Sequence, residues 1–134
     1  MSKYDLEDRL VQFAVSAMQL AEKLPNTKIG VQLSGQLIRS SSSSSMNYGE
    51  AQSAESRKDF IHKMKVVLKE LRETNANLKM IDGLKLVPDT DLVQFLLKEA
   101  NELISIFVRS IQTATRNDAI AKAIQAKRRI TKEE

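Results

Sequence analysis

The sequence contains no cysteine and no tryptophan, and it has a single histidine. Without cysteine, disulfide bonds, thiolate catalysis and cysteine-ligated metal sites are excluded, and the composition fits a reducing cytosol. No run approaches the roughly 20 apolar residues that a membrane span requires. The first ten residues carry acids where a secretory signal needs an apolar run. These absences predict a soluble, cytoplasmic protein with no membrane partner.

Turn-forming and aromatic residues are also scarce. The 134 residues include only two prolines and four glycines, and aromatic residues make up 4% of the chain. The hydrophobic content is nevertheless 42%, so the core must be built from Leu, Ile, Val, Ala and Met. This set of residues is typical of packed helices rather than strands. Composition therefore predicts a single all-α domain, since the length is that of one domain.

Four segments show apolar residues at the three-and-four spacing of an amphipathic helix. They run from about residue 5 to 24, 27 to 54, 56 to 82 and 91 to 115. Pro25 ends the first, Asn26 or Thr27 caps the second, and Ser56 with Asp59 resembles a capping box at the start of the third. Short connections predict an up-down-up-down four-helix bundle over residues 1–115. The Ala-, Lys- and Arg-rich residues 116–134 form a basic C-terminal extension, either helical or frayed.

The second predicted helix contains six consecutive serines, within residues 39–51. Composition alone would make this segment a flexible linker. Spacing favours a helix, because Ser40, Ser43, Asn47 and Glu50 follow one another at steps of three, four and three and so share one face. We interpret the segment as a continuous helix with a small, polar stripe.

This polar stripe predicts a structural hydrogen-bond network with the third helix. We expect Asn47 and Glu50 to be buried on this stripe, where they need hydrogen-bond partners, and Arg39 can pair with a glutamate across the interface. The alternative is a catalytic or metal-binding carboxylate cluster, but a di-iron bundle needs Glu-x-x-His pairs, which this chain lacks. We therefore predict no enzymatic activity and no cofactor. The predicted network consists of Arg39, Ser40, Ser43, Asn47, Glu50, Glu70, Glu73 and Thr74.

Two helices carry more apolar surface than a lone bundle can bury. In the first helix, Val11, Val15 and Met18 lie beside the main stripe. A second stripe left in water would form a large exposed patch, so the pattern predicts a homo-oligomer. The alternative is a thick core stripe that the C-terminal segment covers within the monomer. The second stripe of the fourth helix consists of Val93, Leu97, Ala100, Ile104, Phe107 and Ile111.

Basic residues recur every seven positions on the third helix, opposite its predicted core face. The net charge is +4, and residues 116–134 hold six bases against three acids. A basic ridge with a basic tail predicts a phosphate-binding surface for RNA or DNA. The alternative is an ordinary solvated face on a protein that serves as a scaffold or assembly factor. The candidate nucleic-acid-binding residues are Lys58, His62, Lys65, Lys69, Arg72, Lys79, Lys127, Arg128 and Arg129.

Two segments, QLIRSSSSSSMNYGEA and KDFIHKMKVVLKELRETNANLKMI, make the chain recognisable. They resemble the bacterial four-helix bundle family first noticed as proteins encoded by intervening sequences within large-subunit ribosomal RNA genes. Ala51 stands where the family usually has glycine, and the basic tail lies outside the resemblance. The residues that match the family pattern are Gln36, Leu37, Arg39, Ser40, Ser43, Asn47 and Glu50, followed by Lys58, Asp59, Phe60, Glu70, Glu73 and Thr74.

The resemblance implies a four-helix bundle assembled as a ring-like homopentamer, with no established enzymatic activity. A related branch, the accessory protein of diversity-generating retroelements, is a basic pentamer that binds nucleic acid and a reverse transcriptase. The resemblance to that branch implies the same classes of partner here. We therefore expect a non-enzymatic oligomer that binds nucleic-acid backbone, with a protein-directed scaffold as the alternative.

Overall fold

The computed structural model describes residues 3–133, which are all-α and contain four helices. These are α1 (Lys3–Glu22), α2 (Lys28–Gln52), α3 (Arg57–Gly83) and α4 (Thr90–Glu133). Each helix packs against the next in the chain, and α1 also contacts α4. The all-α prediction is confirmed, and the serine run lies inside α2. Within the described residues no helix has the length and the apolar content needed to cross a membrane.

The helix starts follow the predicted capping chemistry. The Thr27 hydroxyl accepts a hydrogen bond from the Gly30 N–H at 3.1 Å, and the Ser56 hydroxyl accepts one from the Asp59 N–H at 3.0 Å. Each satisfies a backbone donor that has no partner inside its helix. The sequence therefore located the starts of α2 and α3 correctly.

The core lies between all four helices, and Phe13 and Phe107 are among its largest buried side chains. Tyr48 of α2 meets Phe107 edge to face, with ring centroids 5.6 Å apart and an interplanar angle of 85°. This arrangement is a favourable one for an aromatic pair. Burial raises the pKa of the Tyr48 hydroxyl, and the negative charge of Glu7 adds to the effect.

The two apolar stripes of α4 both pack within the subunit. Val93, Ala100 and Phe107 are buried, and Leu97 and Ile104 are half-buried against the core. The prediction that this second stripe is left over for a partner is therefore wrong, because α4 packs against both α1 and α3. The C-terminal segment does not cover the stripe, since it continues α4 through residue 133.

Arg9 joins α1 to α4, where the helices make few other contacts. Its Nε donates to Glu99 Oε2 at 3.0 Å, and its Nη2 donates to the other oxygen of Glu99 and to Glu102 Oε2 at 2.6 Å. The hydrogen bond to Glu99 raises the pKa of Arg9 further above its ordinary value, against the effect of burial. A two-pronged guanidinium–carboxylate pair fixes orientation as well as distance, so Arg9 holds the first and last helices together.

α3 ends in a turn that places Lys85 in the left-handed region, at φ 51°. The Leu86 N–H donates to the Ile81 carbonyl at 3.2 Å, and the Lys85 N–H donates to the Asp82 carbonyl at 3.1 Å. This pair of bonds is the Schellman motif, whose left-handed position is usually glycine.

We expect Lys85→Gly to raise the free energy of unfolding by about 1 kcal/mol, because it removes the clash of a Cβ atom in a left-handed residue. Urea denaturation monitored by circular dichroism measures the change. Lys85→Ala is the matched control, since it shortens the side chain but keeps the Cβ, and it should give no gain. Equal stabilisation by both substitutions would contradict the backbone argument.

Candidate nucleic-acid interface

The outward face of α3 carries six basic side chains in one row. All six are exposed, as the heptad spacing predicts. Between Lys58 and Lys79 the row spans about 31 Å at the α-helical rise of about 1.5 Å per residue. We call this surface the α3 ridge. It consists of Lys58, His62, Lys65, Lys69, Arg72 and Lys79.

None of the ridge side chains has a carboxylate within 4.0 Å among the described residues. The acids beside the ridge are paired with other bases. Arg39 of α2 binds Glu73, and Lys63 binds Glu50 of α2 at 2.7 Å. The hydrogen bond that Lys63 donates to the Glu50 carboxylate raises the pKa of Lys63. The positive charge of the ridge is therefore not cancelled by direct contacts.

The three candidate residues of the tail, Lys127, Arg128 and Arg129, are also exposed but lie apart from the ridge. Asn117 of α4 lines the same crevice as Arg57, the first residue of α3. The part of α4 after Asn117 therefore extends about 24 Å past the start of α3. The structure thus supplies two separate basic surfaces rather than one continuous patch.

Five of the predicted network residues come together between α2 and α3. Arg39 Nη1 donates to Glu70 Oε2 at 3.2 Å, and its Nη2 donates to Glu73 Oε2 at 2.6 Å. The hydroxyl oxygens of Ser40 and Thr74 lie 2.8 Å apart, and Thr74 donates to the Glu70 carbonyl at 2.9 Å. Because a hydroxyl has one proton, Ser40 is left to donate to Thr74.

The other three members of the predicted network lie elsewhere. Ser43 and Asn47 are only half-buried, and the Asn47 amide donates to the Ser43 carbonyl within α2 at 2.8 Å. Glu50 is exposed and pairs with Lys63. The prediction that Asn47 and Glu50 are buried is therefore wrong. The predicted polar stripe of α2 was rotated about the helix axis relative to the face that is buried.

The residues of the serine run that are fully buried are Ser40, Ser41 and Ser44. The Ser41 hydroxyl donates to the Leu37 carbonyl, and the Ser44 hydroxyl donates to the Ser41 carbonyl, each at 2.7 Å. Bonds to the preceding turn satisfy these hydroxyls without a partner from another helix. Ser41 and Ser44 therefore act as small core residues, and the signal that identifies them is their helical register with Leu37 and Tyr48.

The hydrogen bond from Arg39 lowers the pKa of Glu73 from its ordinary value of 4.5. A carboxylate with a lowered pKa adds stability above its unfolded-state pKa, and the contribution is lost as the pH falls through the folded-state pKa. We expect Arg39→Ala to lower the free energy of unfolding by about 0.5–1 kcal/mol at pH 7, since the pair is partly exposed. Below pH 4 the difference from the parent should shrink.

Urea denaturation at pH 7 and pH 3 measures this effect. Arg72→Ala is the control, because it removes an arginine from the unpaired ridge and should change stability little at either pH. An Arg39→Ala deficit that is the same at pH 3 and pH 7 would contradict the ion-pair explanation.

The same residues bear on the alternative of a metal site. In the part of the chain that the structure describes, no three Asp, Glu or His side chains come close enough together to hold a metal ion. The carboxylates of Glu70 and Glu73 both accept hydrogen bonds from the Arg39 guanidinium. Their geometry is that of a cross-helix ion pair.

Comparison with known proteins places the chain in one family. The sequence profile of the 23S rRNA-intervening sequence protein matches residues 3–109. The chain belongs to this family. The match spans α1 to α3 and the first half of α4, so it includes the α3 ridge and the Arg39 ion pairs. A comparison with the curated proteins gave no match.

A solved structure also supports placing this chain in the 23S rRNA-intervening sequence protein family. The chain is similar to a protein with unknown function from the S23 ribosomal protein family of Bacteroides thetaiotaomicron, with 28% identity and a TM-score of 0.75. The similarity covers 84% of this chain and 99% of the other. The tail residues Lys127, Arg128 and Arg129 lie beyond the family match.

Proposed function

We propose that this protein is a non-enzymatic homo-oligomer that binds the phosphate backbone of RNA or DNA through the α3 ridge. The observation that carries the proposal is the row of exposed basic side chains, none of which has a carboxylate within 4.0 Å in the part of the chain that the structure describes. Lysine and arginine that contact phosphates release condensed counterions, and this release provides the sequence-independent part of nucleic-acid affinity.

The shape of the ridge fits backbone binding better than base recognition. Its length of about 31 Å is close to one turn of duplex DNA, roughly 34 Å. The ridge contains no Phe, Tyr or Trp side chain on which an unpaired base can stack, and its one aromatic ring is that of His62. It also lies on a single continuous helix, so its heptad-spaced bases are repeated at steps of about 10 Å. We therefore propose weak sequence preference, with the exposed Arg129 of the tail adding a further phosphate contact.

Self-association is part of the proposal, because one ridge alone binds weakly. A ring of subunits would present several ridges, and linked weak contacts act together on one nucleic-acid molecule. The exposed Val11 and Val15 on α1 support self-association, since they are apolar surface that the described fold leaves uncovered. The family resemblance makes five the expected number of subunits.

Fluorescence anisotropy with labelled 30-nucleotide RNA and 30-base-pair DNA tests the binding. If the five lysine and arginine side chains of the ridge contact phosphates, affinity should fall roughly 100- to 1,000-fold between 50 and 200 mM salt. Lys65→Glu with Arg72→Glu should abolish binding at 100 mM salt, because two central attractive contacts become repulsive. Circular dichroism should show an unchanged helix content, as both side chains are exposed.

The matched control reverses two charges outside the α3 ridge. Lys23 and Lys28 are exposed at the α1–α2 connection, so Lys23→Glu with Lys28→Glu changes the net charge equally. This variant should retain most of the affinity. If the parent binds neither nucleic acid at 50 mM salt, or if both variants bind as the parent does, the ridge is a solvated face. A protein-directed scaffold then becomes the better proposal, with a reverse transcriptase as one partner to test.

A further inference from the structure

Two exposed surfaces have no part in the proposed phosphate binding. The first lies on the outward side of α1, where Val11 and Val15 are each 42% exposed and Met18 is half-buried. Acids that have no ion-pair partner among the described residues flank these side chains. We call this surface the α1 outer face. It consists of Glu7, Asp8, Val11, Val15, Met18 and Glu22.

The second surface lies on the end of α4 that extends past the other helices. Ile120 is 51% exposed and Ile124 is 47% exposed. Lys127 and Arg128 follow three and four residues after Ile124, so all four side chains share one helical face. We call this surface the α4 tail face.

The α4 tail face cannot cover the α1 outer face of its own chain. α4 is one continuous helix to residue 133, so its end points away from the subunit. The Ser34 hydroxyl near the start of α2 donates to the Ala21 carbonyl near the end of α1, so α1 begins at the end of the subunit where α2 ends. Gln52 at the end of α2 lines the same crevice as Asn117, so α4 leaves the subunit at this end. Residues 120–128 therefore lie beyond α1 rather than alongside it. Any cover must come from another molecule.

The two faces are complementary in both apolar pattern and charge. Each presents a pair of branched apolar residues four positions apart, Val11 with Val15 and Ile120 with Ile124. In an antiparallel alignment Ile124 lies opposite Val11 and Ile120 lies opposite Val15. The same alignment brings Lys127 and Arg128 next to Asp8 and Glu7. A parallel alignment that keeps the same apolar pairs places Arg116 opposite Glu7 but Asn117 opposite Asp8, so it leaves one of the two acids without a basic partner.

We propose that the α4 tail face of one copy packs antiparallel on the α1 outer face of a second copy. This inference rests on the self-association in the proposed function and identifies the surfaces that produce it. Each copy would offer a tail to one neighbour and receive a tail from another. Such a head-to-tail contact closes into a ring when the rotation between subunits permits. Because residues 120–128 lie outside the family match, the contact goes beyond what family membership supplies.

Charge reversal and its rescue test the proposal on the full chain. The measurement is light scattering coupled to size-exclusion chromatography at about 0.1 M salt, where exposed ion pairs are only partly screened. We expect the parent to have a mass that is a multiple of 15.1 kDa. Lys127→Glu with Arg128→Glu should shift the mass toward that of one chain, and so should Glu7→Lys with Asp8→Lys. Combining all four substitutions should restore the parent mass.

Two further variants separate this contact from general effects of charge and folding. Lys65→Glu with Arg72→Glu changes the net charge as much as the tail variant does, but it lies on the α3 ridge and should keep the parent mass. Ile120→Asp with Ile124→Asp should dissociate the oligomer, and its helix content should stay close to that of the parent because these residues lie beyond the core.

The outcomes distinguish the inference from the proposed function. A parent with the mass of one chain would overturn both the self-association and this contact. An oligomeric parent whose tail and α1 variants keep the parent mass would overturn the contact alone, and the copies would then meet through another surface. Dissociation by the α3 ridge variant as well as by the tail variant, without rescue in the fourfold variant, would also overturn it.

Discussion

Gly30→Ala is expected to lower the free energy of unfolding by about 3 kcal/mol, at the upper end of the usual cost of overpacking. Gly30 lies in the first turn of α2, directly against the chain that leaves α1. A Cβ at this position would lie 2.0 Å from the carbonyl oxygen of Pro25 and 3.0 Å from its carbonyl carbon. Both are backbone atoms, so relief requires a shift of the α1–α2 connection rather than a change of rotamer.

Gly35→Ala is the matched control in the same helix. A Cβ there would have no atom outside the local helix within 4 Å. The substitution should raise the free energy of unfolding by roughly 0.5–1 kcal/mol, because alanine loses less backbone entropy in a helix than glycine. Thermal melts followed by circular dichroism should place the two variants on opposite sides of the parent. A Gly30→Ala protein that melts with the parent would show that the connection moves freely.

Gly30 also illustrates which features of the fold are visible in the sequence. The hydroxyl of Thr27 and the position of Pro25 predicted where α1 ends and α2 begins, because these effects depend on neighbouring residues. The close approach of Gly30 to Pro25 depends on how two helices meet. From the sequence alone, a glycine inside a helix is expected to lower helix stability. Nothing in the sequence shows that the Pro25 carbonyl occupies the space that a Cβ at this position would need.

The register of α2 was the main error in the candidate site. Six identical residues give no contrast in hydropathy, so Ser40, Asn47 and Glu50 suggested a stripe by polarity alone. The buried face instead follows Leu37, Ser41, Ser44, Tyr48 and Ala51, at steps of four, three, four and three. Tyr48 carried the decisive signal, because a large amphipathic ring next to a small-residue segment is more informative than the serines themselves.

Contacts between distant parts of the chain account for the other differences. The apolar surface of α4 is wide because α1 and α3 both pack against it. Hydrophobic spacing alone cannot show whether such a surface packs against helices of its own subunit or of another. Arg9 and Glu99 are 90 residues apart, so no local pattern connects them. The α3 ridge, by contrast, was predictable in full, since exposure opposite an apolar face follows from helical periodicity alone.

The corrected register leads to the second large effect, at Ser44. This side chain is fully buried, and the one hydrogen bond of its hydroxyl within the described residues is to the Ser41 carbonyl of its own helix. Its role is therefore to be small, so that the neighbouring helices pack closely against α2. We expect Ser44→Leu to lower the free energy of unfolding by about 3 kcal/mol through overpacking. For a domain of this length the melting temperature should fall by about 10 °C.

Two substitutions separate size from polarity at this site. Ser44→Ala removes the hydroxyl but adds no volume, and it should change stability by less than about 1 kcal/mol because the lost bond is local. Ser42→Leu adds the same volume at a half-buried position two residues earlier, where the side chain can turn toward solvent, and it too should cost less than about 1 kcal/mol. If Ser44→Leu melts with Ser42→Leu, the core beside α2 has room to spare. The serine run would then need another explanation, because close packing is the only role that the structure gives a buried serine whose hydroxyl bonds to its own helix.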